Sequence, residues 1–330
     1  MAKKLCKNCG HKLQKYGKTA AGTQRYLCLH CKHSEVRDRP DLTLRSHFEL
    51  YLDWLSGKWT KTEIAEKLGI TRQTLHSWFK PFTQDTIMPQ KVCCGGQVII
   101  VDGYYIEKLT TVLTAQLQDD KIVTWRFVKS ETFTSWLDLF NQIEDYPLAI
   151  VGDGQKGMYK AIKQRYPNII FQRCQFHVIH YVNLQLTKHP EMLAAAQLKI
   201  IVSWITDVKT LDEYKRWMKQ FKSWYMLHED FLKQRTFQDE KTPTGRKKWH
   251  YTHSHLHAAF SHVKNALPHL FQYIRYPGIP NTSNRIEGSV NALLQRRLDA
   301  HRGMSIKQRK QLIAACLRQK QLSKPTRNFT

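Results

Sequence analysis

The sequence is short of acid. Its 330 residues hold 27 Asp and Glu against 52 Lys and Arg, a formal net charge of +25. Such a field repels itself in a compact state unless a polyanion neutralises it, and nucleic acid is the polyanion to expect. Long apolar runs are missing too. None has membrane-spanning length and no signal peptide is read, so a membrane partner is excluded and a cytosolic chain expected. No low-complexity tract interrupts the 42% hydrophobic composition, which excludes a disordered chain and fits several globular domains. Eight cysteines in a reducing compartment argue for thiols or metal ligands before disulfides.

What is present clusters. Residues 1–45 carry 11 Lys/Arg against Glu35, Asp38 and Asp41, and ten Lys/Arg from Arg296 onward face only Asp299. Cys6-Lys7-Asn8-Cys9 and Cys28-Leu29-His30-Cys31 repeat a Cys-x-x-Cys spacing with 18 residues between them. Each pair puts two thiolates on one tight knuckle, and two knuckles give the four-sulfur set that one structural Zn²⁺ prefers. Gly10 and Lys32 follow the second cysteine of each pair, where the chain leaves the metal, and residues 23–27 alternate like a strand. Residues 1–40 are expected to form a zinc ribbon.

Residues 41–82 read as helices. Leu44–Leu55 carries Phe48, Tyr51, Leu52 and Leu55 at helical spacing, and Thr60 with Glu63 makes a capping box. Gly69-Ile70 is a tight turn and Thr71 caps a further helix. A small core of Ala65, Leu68, Ile70, Leu75 and Trp78 predicts a helix-turn-helix, whose second helix offers Arg72, Gln73, Thr74, His76 and Lys80 to a major groove. Residues 83–96, with Pro89, Gly95 and Gly96, read as a linker.

From residue 97 the period changes to that of strands. Val98–Val101 is a buried run ending in Asp102, and residues 111–117 and 122–128 are a hairpin about Asp119-Asp120. Residues 132–146 read as a helix. Leu148–Val151 is a second buried run, ending in Gly152-Asp153-Gly154. A helix, a strand at Ile169–Phe171 and the segment Arg173-Cys174-Gln175-Phe176-His177 follow. Residues 178–276 read as an all-α block, and its histidine-rich stretch, His250 to His262, lacks convincing metal-ligand spacing. Residues 277–330 hold a helix start at Asn281–Asn284, Glu287 in its first two turns, and a basic tail.

Each acid taken singly has an ordinary explanation, as a turn residue or a helix-dipole partner. Together, two strand-end aspartates and a helical glutamate supply the hard oxygen donors that two Mg²⁺ or Mn²⁺ ions need for phosphoryl transfer. The order strand, strand, strand, helix, strand, helix, strand predicts an α/β fold with a ribonuclease-H-like core over 97–177, interrupted by the α-helical insertion and completed by 277–330.

Asp102 in VDGYY, Asp153 in GDGQKG, Cys174-x-x-His177 and Glu287 in NTSNRIEGSVN resemble the Mutator-like (MULE-type) DDE transposases of bacterial insertion sequences, in the variant group with an N-terminal zinc ribbon. RLDAHRGMS at 297–305 and Trp249-His250-Tyr251-Thr252-His253 resemble further segments of that group. The resemblance implies that Asp102, Asp153 and Glu287 hold the catalytic metals, with Cys174 and His177 a family motif near the site. It implies cleavage that frees a 3′-OH and transfer of that end to target DNA. It also implies recognition of double-stranded transposon ends, phosphate contacts from the basic helix through Arg296, Arg297 and Arg302, and a homodimer or larger assembly in a nucleoid-associated setting. An inactive DNA-binding regulator and a structure-selective nuclease are the alternatives.

Overall fold

The structure, a computed structural model, describes residues 5–20, 22–36, 40–55, 57, 59–84, 91–107, 110–241, 247–301 and 303–322. Arg302, expected to contact DNA, lies outside the described residues, as does the side chain of Glu287. The chain divides into two units, residues 1–85 and 86–330.

In the first unit, β1 (Leu13–Lys18), β2 (Gln24–Cys28) and β3 (Ser34–Val36) form an antiparallel sheet in that order. Among the described residues its buried core is Cys6, Leu13, Tyr26 and Cys28. A core that small needs a staple. Three helices follow, α1 (Pro40–Leu55), α2 (Lys61–Leu68) and α3 (Arg72–Gln84). The capping box forms: Thr60 Oγ1 accepts from the Glu63 N–H, and the Glu63 carboxylate accepts from the Thr60 N–H at 2.7 Å. Gly69 ends α2 in the left-handed conformation (φ 63°) that glycine adopts without strain. Thr71 then accepts from the Thr74 N–H to start α3. The core differs from the expected one. Tyr51, Trp54, Leu55, Ile64, Ala65, Leu75 and Phe79 are buried, with the Phe79 ring against those of Tyr51 and Trp54, while Leu68 is 44% exposed and Trp78 stacks on His47. The large aromatics of α1 fill the space that Leu68 and Trp78 were expected to fill.

The second unit is built on a five-stranded sheet of β4 (Val98–Glu107), β5 (Thr110–Leu117), β6 (Ile122–Val128), β7 (Ala149–Gly152) and β8 (Ile170–Arg173). Spatial order is β6-β5-β4-β7-β8; β6, β5 and β4 are antiparallel, and β4, β7 and β8 parallel. Helices α4 (Phe133–Phe140) and α5 (Lys156–Arg165) cover one face, where Trp136, Leu139, Phe140, Met158, Ile162 and Tyr166 pack on Ile99, Val101, Leu113 and Ile150. The α4 helix is shorter than expected. Past Phe140 the main chain turns to pair with Val92, whose N–H donates to the Gln142 carbonyl and whose carbonyl accepts from the Glu144 N–H. Residues 91–96, expected to end a linker, are tied down by that pairing and by Asp145, which accepts from the Cys94 and Gly96 N–H groups.

Next come α6 (Gln175–Leu186), α7 (Leu193–Ser203) with a 3₁₀ turn at Trp204–Asp207, α8 (Leu211–Lys233), α9 (Ser254–Leu270) and α10 (Gln272–Arg275). Their shared core includes Val178, Val182, Leu198, Trp217, Phe221, Trp224 and Val263. The block is not all helical. Between α8 and α9 stands a two-stranded antiparallel ribbon, β9 (Arg235–Lys241) and β10 (Lys247–Tyr251). The chain ends in α11 (Asn284–Ile286), a five-residue π-turn at Glu287–Asn291, α12 (Ala292–Ala300) and α13 (Ile306–Leu322), which packs on β6. Glu287 was expected in a regular helix. Its main chain instead opens a π-turn, a wide helical turn often found at functional sites. No helix among the described residues is long and apolar enough to cross a membrane.

Candidate active site

The two buried apolar runs become adjacent parallel strands, because Val/Ile-rich segments buried on both faces pair this way. Val98 lies opposite Ala149 and Ile100 opposite Val151. Continued two residues along, that register sets Asp102 level with Asp153, which follows the end of β7; Asp102, expected at a strand end, lies midway along β4, which runs on to Glu107 in its pairing with β5. Neighbouring strands are about 4.8 Å apart, so two carboxylates at one level can face a common ligand.

Asp102 is buried, 8% exposed, and held by the amide of Asn291, whose Nδ2 donates to Oδ2 at 3.0 Å. Burial pushes its carboxyl up to about 6, against the pull of nearby His177 and of Asn291. Asp153 closes its own turn, with Oδ1 accepting from the Gln155 N–H, and its carbonyl accepts from Arg173 Nε. Asn291 is the last residue of the π-turn that Glu287 opens, so its bond to Asp102 ties that turn to β4. α11, immediately before it, also packs on β4.

A carboxylate that sequence reasoning missed joins this group. Glu131, just ahead of α4, lies so close to Gly103 that a Cβ there would fall 2.4 Å from its Oε1. Burial first, then the charges of Asp153 and Asp102, push Glu131 up to about 7, and Tyr105 hydrogen-bonds to it. In sequence Ser130-Glu131-Thr132 reads only as the approach to a capped helix. The one available signal was Gly103, a glycine directly after Asp102.

His177, on the first turn of α6, answers the negative charge. Burial alone would lower it, but Cys174 beside it and the carboxylates of Asp102 and Asp153 outweigh that and raise it to about 9. It is therefore a cation at neutral pH. Cys174 itself is buried at the β8–α6 junction, and its Sγ accepts from both the N–H and Oγ of Ser283, at 3.2 and 3.1 Å.

Next to it Gln175, fully buried, donates its N–H to the Asn281 carbonyl and accepts from Asn281 Nδ2, while its own Nε2 reaches the Leu270 carbonyl and Tyr273 hydroxyl. Cys174 and Gln175 thus clamp the segment that leads into the Glu287 turn. Gln175→Leu keeps the main-chain bond to Asn281, and the Leu270 carbonyl and Tyr273 hydroxyl retain Gln172 and Val208, but Asn281 Nδ2 loses its acceptor, at about 1–3 kcal/mol. It is expected to lower the melting temperature by several degrees; an unchanged melt would show that the clamp carries no stability.

On α3, Arg72, Gln73, His76 and Lys80 are exposed, with Arg72, His76 and Lys80 at successive i, i+4 positions in the row beside buried Leu75 and Phe79; Thr74 is half-buried, its hydroxyl on that of Thr71. On α12, Arg296 is exposed and Arg297 half-buried.

A tight set of candidate metal ligands lies in the first unit. Cys6, Cys9, Cys28 and Cys31 place all four sulfurs within 4.8 Å of one another, with contacts of 3.3–3.7 Å. Gly10 (φ 73°) and Lys32 (φ 58°) both turn left-handed after the second cysteine of their pairs. The thiols cannot share charge evenly. The Cys31 backbone N–H, above all, pulls Cys28 down to about 6. Cys9 is pushed up to about 12: the His11 N–H lowers it, but burial and the neighbouring sulfurs prevail. A divalent cation removes that conflict, so these cysteines can hold a structural zinc. Among the described residues, the only other set this tight is Cys9 with His11 and His30; Asp102, Asp153 and Glu131 do not come within 4.8 Å of one another as a trio.

A mixed sheet bearing two aspartates level on neighbouring strands beside a half-buried cationic histidine suits an enzyme that works on phosphates. Residues 116–240 match the family described as Transposase, Mutator family. The match supports a MULE-type transposase, and with it a DNA-binding, DNA-cutting role. The matched span holds Glu131, Asp153, Cys174 and His177, with Asp102 and Glu287 on either side of it. No curated protein matches the chain.

Proposed function

We propose that the chain is a DDE transposase of an insertion sequence, in which Asp102, Asp153 and Glu287 hold two Mg²⁺ or Mn²⁺ ions at the edge of a ribonuclease-H-like core. The observation that carries the reading is the common level of Asp102 and Asp153 on neighbouring parallel strands. The donors fit the ions: all are hard oxygens, and the burial that resists ionisation of Asp102 and Glu131 is relieved by a cation. The strand order, three antiparallel strands followed by two parallel ones, supports the ribonuclease-H-like assignment.

Divalent ions bound there supply charge stabilisation to the attacking and leaving oxygens of a phosphodiester. The chain's own part is positional. Asn291 fixes the Asp102 carboxylate, the Cys174–Gln175 clamp fixes the approach to Glu287, and cationic His177 faces the same group of acids. In the first step water attacks phosphorus at the element end, and the bond to the element's 3′ oxygen breaks, leaving a 3′-OH there. In the second, that hydroxyl attacks a target phosphodiester and a target 3′-OH leaves. The number of phosphodiesters is conserved in the second step, so no outside energy source is needed. The zinc ribbon and a helix-turn-helix on α2 and α3 read the terminal inverted repeats, and α12 with the basic tail holds phosphates. Both ends must be handled together, so the working form is a homodimer or larger assembly.

Strand joining tests the reading against its alternatives. With Mg²⁺, the protein and a pre-cut duplex carrying the element's own end, a circular plasmid is expected to acquire that end covalently. Nicking without joining would mark a nuclease; binding without either would mark an inactive regulator.

A further inference from the structure

The β9–β10 ribbon has two unlike faces. Tyr251 lies opposite Arg235 and Trp249 opposite Phe237, so these four side chains share one side; Thr236, His250 and Thr252 share the other. The polar side closes on itself, with the hydroxyls of Thr236 and Thr252 3.0 Å apart. The aromatic side does not. Phe237 is 60% and Trp249 42% exposed, although each has its cross-strand neighbour to pack on.

The base of the ribbon is anchored. Tyr251 stacks on His257 of α9, ring centroids 3.6 Å apart, and Phe231 at the end of α8 stacks on His253. An isolated two-stranded ribbon is marginal in water, and these stacks explain why this one stands. They do not explain why its far part presents two large rings to solvent. Further, the Arg235 guanidinium lies over the Trp249 ring, 4.0 Å from its centroid. From Arg235 to Lys248 the sequence carries Arg235, Lys241, Arg246, Lys247 and Lys248 against Asp239 and Glu240.

We propose that this face is a stacking platform for unpaired DNA bases, with Trp249 the main plate, Phe237 the second, and Arg235 beside them supplying positive charge to the strand's phosphates. Exposed aromatic faces interleaved with Lys and Arg are how proteins hold single strands without reading sequence. In a duplex the base faces are buried in the stack, so the platform distinguishes a frayed or opened strand from a closed one. A second protein surface is a poorer occupant, because like positive charge would meet like charge in a second copy of this chain. The inference rests on the DNA-binding role and adds to it a single-strand contact.

The test is binding of the full-length protein to a labelled oligothymidylate strand and, separately, to a labelled duplex of the same length. Trp249→Ala is expected to weaken strand binding by about tenfold and Phe237→Ala by less, with duplex affinity within about twofold of wild type. Trp249→Phe keeps a ring and is expected to recover most of the loss. Unaltered circular dichroism and melting would establish that the variants fold. Wild-type strand affinity in a folded Trp249→Ala/Phe237→Ala double variant would overturn the proposal. So would equal losses on strand and duplex, or a drop in sedimenting size, which would make the face a contact between copies. If the wild type bound neither DNA, the DNA-binding role itself would fall, and this inference with it.

Discussion

Asp102→Asn is expected to abolish Mg²⁺-dependent strand cleavage while leaving duplex binding intact. Asparagine keeps the size and one oxygen of the side chain, so the bond from Asn291 can persist, but the charge that holds a cation is gone. Transition-state stabilisation by such cations is worth several kcal/mol, which corresponds to about a thousandfold or more in rate.

The same variant has a distinctive stability signature. The folded-state value for Asp102, about 6, lies above its ordinary value of 3.8, with burial the main cause. Ionising it therefore costs the metal-free fold stability, a cost that is full above about pH 6 and fades as the pH falls toward the unfolded value. Glu131, at about 7, acts in the same direction. His177 remains protonated up to about 9, so the carboxylates dominate the window between pH 5 and pH 7. Without metal, Asp102→Asn is thus expected to melt no lower than wild type at pH 7, with the two converging as the pH falls toward the unfolded value of 3.8. With Mn²⁺ the order reverses, because the ion stabilises only the protein that binds it. Wild-type Mn²⁺ affinity is expected to fall below about pH 6 as Asp102 takes up a proton. Thermal melts at the two pH values, with and without Mn²⁺, check all of this. Equal Mn²⁺ stabilisation of wild type and variant would remove Asp102 from the site.

The second large effect is expected in the first unit. Cys28→Ser should take the zinc content of the purified protein from about one ion per chain to almost none. It should also unfold the β1–β3 sheet. The reason is the size of its core: among the described residues, Leu13 and Tyr26 are the only buried ones there besides cysteines. Where no adequate apolar core exists, metal-binding free energy is folding free energy. Amide exchange is the decisive readout, because β1–β3 should lose protection while β4, β7 and α5 of the second unit keep theirs. Unchanged zinc content would refute the four-cysteine site, and a protected ribbon without zinc would show that its fold does not need the metal.

The parts of the molecule legible in sequence are those whose signal is local and redundant. Val98–Val101 and Leu148–Val151 are apolar runs with an acid at the end, and the strands follow directly. The double Cys-x-x-Cys spacing likewise announces a cluster before any coordinates. Signals fail where a distant partner decides the outcome. The helix read as far as Tyr146 stops at Phe140 because Val92, far back in the chain, takes over the hydrogen bonds of Gln142 and Glu144. The ribbon Arg235–Tyr251 escaped because its strands carry few apolar residues, having no core face to supply. Leu68 and Trp78 were reasonable core residues until the aromatics of α1 occupied the space. Among the proposed site residues, the placement of Asp102 and Asp153 on neighbouring strands was readable from the two apolar runs. Glu131 was not, since only the tertiary contact with Gly103 brings it in. The roles of Cys174 and Gln175 were hidden likewise, because their partners Asn281 and Ser283 lie over a hundred residues away.

The central claim, that Asp102 and Asp153 together hold the ions that drive DNA cutting, is tested most directly by one cleavage assay. A duplex spanning the element's terminal repeat and its flank is incubated with wild type, Asp102→Asn or Asp153→Asn, in Mg²⁺, with binding followed in parallel. The expected result is a nick at the element boundary that leaves a 3′-OH for wild type alone, with all three proteins bound. Cutting by either variant at the wild-type rate, or a wild type that binds the end but leaves it whole in both Mg²⁺ and Mn²⁺, would contradict it.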